Sequence, residues 1–208
     1  MNTEVIPAGE CQALKRALEV LRAGGLVAFP TDTVYGVGAL AFVAGAVEAL
    51  YVAKDRSIEK AIPVLIGDPQ DIGKVAREVP ALADKLAARF WPGPLTLVVP
   101  KQPALPAAVS ATATVGVREP DHPVARALLN LAGPLAVTSA NLSGGSSPTT
   151  AAQVLAQLGG RITLILDGGP TPGGMPSTVV DCMGAEPRIL REGALSKAEI
   201  LTFLGLNL

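Results

Sequence analysis

The chain has 208 residues and a mass of 21.1 kDa, which at roughly 150 residues per domain suits one domain better than two very small ones. Hydrophobic residues make up 49% and charged residues 17%, excluding a disordered or low-complexity chain, and 3% aromatic content argues against a platform that stacks bases. Lys and Arg number 17 against 18 Asp and Glu, a net charge of −1, so bulk basic charge for holding nucleic acid is missing and any anion site must be a local cluster.

Over residues 9–23, Leu14, Leu18 and Leu21 recur among Lys15, Arg16 and Glu19, the pattern of an amphipathic helix stopped by Gly24-Gly25. The short apolar run 26–29 predicts a buried strand. Residues 30–38 read as a loop, and a helix from about 43 to 53 ends just before Lys54-Asp55-Arg56. A strand at 63–66, a helix at 81–90, the breaker Trp91-Pro92-Gly93-Pro94 and strands at 95–99 and 114–118 follow. A helix over 123–131 leads to a strand at 135–138, which feeds a small-residue loop over 139–148. The last third predicts a helix over 151–158, strands at 162–166, 178–181 and 188–191, and a closing helix from Ser196. Strands and helices alternate with no long Ser/Gly linker and no repeat, so residues 1–208 read as a single α/β domain with a mixed sheet. Polar loops after the strands are where a site belongs.

Cys11 and Cys182 stand at opposite ends with no CxxC spacing, which excludes a disulfide framework and a zinc site and leaves both as buried structural thiols in a reducing compartment. The N-terminal MNTEVIPAGE has neither a basic region nor an apolar run, so no secretory signal is expected. The apolar stretch 39–53 contains Glu48 and is shorter than the ~20 residues that span a bilayer. A soluble, cytoplasmic protein without membrane contact is the expectation.

There is no GxxxxGK[ST] and no GxSxG, and Gly36 and Gly38 lack the third glycine of GxGxxG. His122, the one histidine, stands beside Asp121 and ahead of Pro123, where a helix cap is the expected role. A Ser-His-Asp hydrolase would need it as its base, and a histidine-based metal site is excluded. Four segments of hydroxyls, amides and isolated cations remain. In Pro30-Thr31-Asp32-Thr33-Val34-Tyr35-Gly36, the hydroxyls of Thr31, Thr33 and Tyr35 could line a polar pocket, although a turn capped by Asp32 would look similar. Lys54, Arg56 and Lys60 could hold polyphosphate, or simply complement a helix dipole. Arg118 is the one cation on the apolar strand begun by Thr114, and faces either solvent or an anion. The run Thr138-Ser139-Ala140-Asn141-Leu142-Ser143-Gly144-Gly145 suits anionic oxygens, or is a plain connection.

The joint order is more specific than any one segment. TDTVYG, then KxR with Lys60 beyond it, VGVR followed by HP, TSAN, STVVD and ILREG together resemble the YrdC-type threonylcarbamoyl-AMP synthase family over residues 9–195. The chain looks like its short, single-domain form. Ser57 stands where the family usually carries proline, and Leu65 where it often has histidine, which bears on one polar contact to the amino acid.

The resemblance implies a twisted, open mixed sheet with a concave basic cavity. It also implies synthesis of threonylcarbamoyl-AMP and pyrophosphate from L-threonine, bicarbonate or CO2, and ATP. The product would pass to a downstream transferase that modifies tRNA, with tRNA contact possible, and Mg2+ would arrive with ATP. Carried over by motif position, Lys54, Arg56, Ser139 and Asn141 form the catalytic set. Arg56, Lys60, Thr114, Asn141 and Arg191 bind ATP. Thr31, Thr33, Tyr35, Arg118, Thr138 and Ser177 bind threonine, Arg118 through the carboxylate. An RNA-binding module, or a paralogue acting on another adenylation or acyl-phosphate substrate, are the alternatives.

Overall fold

The computed structural model describes residues 2–206; Met1, Asn207 and Leu208 of the expected domain lie outside the described residues. In chain order the elements are β1 (Glu4–Pro7), α1 (Ala13–Arg22), β2 (Val27–Phe29), β3 (Gly36–Leu40), α2 (Ala44–Lys54), β4 (Val64–Leu65) and a 3-10 turn (Pro69–Asp71) leading into α3 (Ile72–Val75). Then come α4 (Ala81–Phe90), β5 (Leu95–Pro100), β6 (Thr114–Arg118), α5 (Pro123–Ala132), β7 (Leu135–Ser139), α6 (Ala151–Leu158), β8 (Leu164–Asp167), β9 (Thr178–Asp181), β10 (Arg188–Arg191) and α7 (Lys197–Leu204). All the strands join one sheet in the order β1-β8-β2-β3-β7-β4-β6-β5-β9-β10. The sheet is mixed, with β5 parallel to β9 and antiparallel to β6, and β4 parallel to β6 but antiparallel to β7.

Local chemistry accounts for the helices. The stripe Ala13, Ala17, Val20 and Leu21 is the buried face of α1, while Arg16 turns outward to Glu4 and Glu19. Ser196 and Glu199 form a capping box at the start of α7, each satisfying a backbone N–H of the other's turn. His122 sits at the N-cap of α5 but its side chain makes no capping bond, which corrects the role expected for it; Pro123, with no N–H to satisfy, starts the helix.

Two apolar clusters pack on opposite faces of the sheet. One unites α1 and α5 with Val27, Phe29, Leu65, Leu135, Val137, Leu164 and Leu166. The other gathers α2, α4, α6 and α7 against Ala28, Val37, Val64, Leu97, Val117 and Val180. Helices α1 and α5 therefore cover only the half of their face built by β8, β2, β3, β7 and β4. Their cluster stops at Leu65, and the β6-β5-β9-β10 half of that face carries no helix. That uncovered quarter of the sheet is where a cavity forms.

Three elements differ from the expectation. Residues 36–40, read partly as loop, form β3 because Gly36 does not end the chain's extension; it permits a close approach, and a Cβ there would lie 2.7 Å from Val137 Cγ1. The short edge strand β1 and helix α3 carry no repeat long enough to announce themselves. The expectation of two buried thiols holds for Cys182 alone, whose pKa burial pushes up to about 12; Cys11 is exposed. Among the described residues, no helix is long and apolar enough to cross a membrane.

Candidate active site

The cavity encloses about 360 Å³. Its floor is the bare sheet, with Thr96 and Val98 from β5, Gly116 and Arg118 from β6, and Val179 from β9. Its walls are the loop after β2, the turn after α2, the end of β7, and the strand β10. Alternation along β6 decides the floor's chemistry: Val115 and Val117 enter the core, so Gly116 and Arg118 face the cavity.

Arg118 is held on three sides. Its Nε donates to Gly93 O at 2.9 Å, Nη1 to Thr33 Oγ1 at 3.1 Å, and Nη2 to Asp32 Oδ1 at 2.5 Å. A guanidinium has five N–H donors, so the remaining two have no protein acceptor among the described residues. Burial pulls its pKa down, and the neighbouring Asp32 opposes that shift. Thr31 and Thr33 share a hydrogen bond at 3.0 Å, and the Thr31 hydroxyl donates to Val34 O at 2.7 Å, so Thr31 closes the turn on which Thr33 is presented.

At the opposite wall, Ser177 shares a hydrogen bond with Thr96 at 2.8 Å, and Arg191 donates through Nη2 to Ser177 O at 2.7 Å. Arg56 donates to Ala61 O at 3.0 Å and to Lys60 O at 3.2 Å, which orients its fork over the cavity. Burial lowers the pKa of both arginines, and the charge of Arg56 lowers that of Arg191 further. Like charges gathered this way favour an anion between them.

The cavity thus unites Thr31, Thr33, Arg56, Arg118, Thr138, Ser139, Ser177 and Arg191 of the residues singled out in the sequence. Five others stand elsewhere. Lys54 does not border the cavity: its ammonium donates to Ser139 O at 2.5 Å and to Asn141 O, while Ser143 N donates back to Lys54 O at 2.8 Å. Burial, with Arg56 nearby, pushes its pKa down to about 8. Tyr35 lies in the core on the other face, where its hydroxyl donates to Gly169 O at 2.7 Å; it anchors the loop over residues 168–177 instead of shaping the pocket. Thr114 bonds Thr112 at the far end of β6, and Lys60 is exposed outside the lining. Asn141 folds its amide onto Leu142 O and Gly145 O, at 2.7 and 2.9 Å, and its Oδ1 is buried without a donor among the described residues.

Sequence reasoning missed two contributors. Thr96 is a lone hydroxyl in an apolar strand, and alternation along that strand could have pointed it at the site. Asp32 enters the sequence reading only through the alternative of a capped turn, and no local signal connects it with Arg118. A further support is Gly173, whose segment rides directly on Thr33: a Cβ there would lie 2.2 Å from Thr33 O. Among the described residues, no group of three or more His, Cys, Asp or Glu could hold a metal ion.

A mixed α/β sheet with one bare patch thus carries three arginines among hydroxyls, a lining whose charge complements small anions. The chain belongs to the Sua5_yciO_yrdC family, described as "Telomere recombination", which it matches over residues 19–193. It is 43% identical over 202 residues to a Mycobacterium tuberculosis protein named "Putative threonylcarbamoyl-AMP synthase", covering 97% of this chain and 93% of that one. It is 44% identical over 195 residues to the threonylcarbamoyl-AMP synthase of Bacillus subtilis, covering 92% of this chain and 56% of that one. The crystal structure of P. abyssi Sua5 complexed with L-threonine superposes with a TM-score of 0.93 at 40% identity, over 99% of this chain and 61% of that one. The chain spans about three fifths of these two longer relatives.

Proposed function

We infer that the chain is a threonylcarbamoyl-AMP synthase, joining L-threonine, bicarbonate or CO2, and ATP, and releasing pyrophosphate. The observation that carries the reading is the convergence of Arg56, Arg118 and Arg191 with the hydroxyls of Thr33, Ser139 and Ser177 in one cavity. The chemistry suits such a lining. The threonine amine attacks the carbon of CO2 and loses a proton, giving a carbamate that is already an oxygen nucleophile. The carbamate oxygen then attacks the α-phosphorus of ATP, the bond to the β-phosphoryl oxygen breaks, and pyrophosphate leaves with the electron pair. No strong protein base is needed; alignment of two anions and neutralisation of the departing charge are.

In this reading, residues 1–208 work as one domain. Arg118 takes the threonine carboxylate with its two remaining N–H groups, and Thr33 and Ser177 flank the amino acid, with Thr138 near it. Arg56 and Arg191 take the phosphates, and Ser139 contributes at the α-phosphate. Lys54 and Asn141 serve by fixing the loop that carries Ser139. Mg2+, when bound, neutralises triphosphate charge, and it would enter with ATP because the lining is cationic and hydroxylic. Delivery of the product to a transferase acting on tRNA, in the cytoplasm, completes the proposal.

The test is to incubate the protein with α-labelled ATP and bicarbonate, with and without L-threonine, and to measure pyrophosphate and labelled AMP ester. Threonine-dependent appearance of both in equal amounts supports the reading. Hydrolysis of ATP indifferent to threonine would overturn it.

A further inference from the structure

Asp32 reaches Arg118 from behind the cavity. It does not border the cavity, its side chain is 12% exposed, and Oδ1 accepts both Arg118 Nη2 at 2.5 Å and Asp121 N at 3.1 Å. Its other oxygen, Oδ2, is buried and meets no donor among the described residues. Half of an enclosed carboxylate is thus left unsatisfied, an unfavourable arrangement if its only task were the turn. Asp121 N needs one acceptor, and a neutral amide oxygen would serve. What a neutral group cannot do is balance Arg118, which is 6% exposed and ion-paired with no other acid among the described residues.

We propose that Asp32 is a positioning residue and resident counter-ion for Arg118, keeping the guanidinium paired and aimed before the amino acid arrives. The incoming carboxylate then meets two N–H groups at a fixed angle, instead of drawing an unpaired arginine into whichever orientation binds it tightest. The proposal rests on Arg118 being the carboxylate site. Its consequence separates affinity from rate. With Asp32 ionised, the pair is close to neutral, so the amino acid is held moderately and in line. Without that charge, Arg118 attracts the carboxylate more strongly and aligns it less well, so binding energy goes to the ground state and not to the transition state.

Asp32→Asn tests this, because it keeps the size of the side chain and an oxygen for Asp121 N and Arg118. The expected result is a kcat about tenfold lower at saturating substrates, with threonine KM unchanged or lower and ATP KM unchanged. The melting temperature of the free variant should fall, and added threonine should raise it by more than it raises the wild type. A threonine KM that rises with kcat intact, or kinetics equal to the wild type, would overturn the proposal. If the variant fails to fold alone, refolding with threonine or with ATP decides: recovery with threonine only supports it, and no recovery with threonine overturns it. Arg118→Ala, assayed alongside, keeps the two claims apart. Unchanged threonine binding in that variant would refute the carboxylate site itself, whereas weakened binding there beside a wild-type-like Asp32→Asn would refute only the role of Asp32.

Discussion

The Lys54 ammonium donates to the Ser139 carbonyl at 2.5 Å, joining the end of α2 to the end of β7 from inside the protein. Lys54→Met keeps the stem and removes the donors, leaving two carbonyls short of a partner at about 1–3 kcal/mol each. Product formation should fall, since Ser139 loses its support. The pH dependence has a definite sign. Because burial pushes the Lys54 pKa down to about 8 in the folded state, the unfolded chain holds one more proton above that value. Stability gained from this group therefore grows as pH rises from about 8 towards its ordinary value near 10.5, and is lost as pH falls back through 8. Urea unfolding at about pH 7 and about pH 10 should show the gap between wild type and Lys54→Met widening with pH. A gap that narrows would refute the assignment.

Arg118→Ala should raise the threonine KM by ~30- to 150-fold, the equivalent of about 2–3 kcal/mol for a charge-assisted pair. The ATP KM should change far less, because Arg118 stands beside Thr33 while Arg56 lines the wall formed by the turn after α2. Equal weakening of both substrates would place Arg118 elsewhere in the reaction.

Among the described residues, the Arg56 guanidinium hydrogen-bonds only backbone carbonyls, those of Lys60 and Ala61. Arg56→Ala should leave the melting temperature almost unchanged, at roughly 0.5 kcal/mol, yet lower pyrophosphate release by orders of magnitude. The loss should appear in kcat as well as in the ATP KM, because charge on the departing pyrophosphate grows in the transition state. Arg56→Lys should restore part of it, a point charge being a poor substitute for a planar fork. A folded Arg56→Ala enzyme with near-normal kcat/KM for ATP would remove this turn from the site.

Gly173→Ala forces a methyl group to within 2.2 Å of Thr33 O. The segment must lift from Thr33, at a cost typical of overpacking, about 1–3 kcal/mol. The expected outcome is a lower melting temperature and a higher threonine KM. Gly9→Ala, where nothing lies within 4 Å, serves as the control that should change neither.

What could be read before folding depended on whether the signal was local. Strand β6 is legible to its end residues because a short apolar run closes on Arg118, but the direction of Arg118, towards solvent or an anion, is decided only where Val115 and Val117 enter the core. Strand β3 was partly lost because Gly36 and Gly38 look like turn residues, and only the position of Val137 on the neighbouring strand shows why they are glycines. Lys54, Arg56 and Lys60 read as one cluster, but direction along a helix end is set by distant partners. Carbonyls 85 and 87 residues away draw Lys54 inward, while Arg56 turns into the cavity and Lys60 stays outside it. The tie between Asp32 and Arg118 spans 86 residues and has no trace in spacing.

The alternation along β6 also makes its register a chemical choice. Val99, Gly116 and Pro100 are fixed in their pairings across β5 and β6, where Val99 faces Val115, Val98 faces Gly116 and Leu97 faces Val117. Sliding β6 by a single residue would carry Arg118 into the apolar layer beneath the sheet and lift Val117 into the cavity. The price of an arginine in that layer is high enough to reject the slipped pairing outright. The residue that would recognise the amino acid is therefore also a proofreader of the fold, because a chain that misregisters there forfeits its core and its chemistry in the same error.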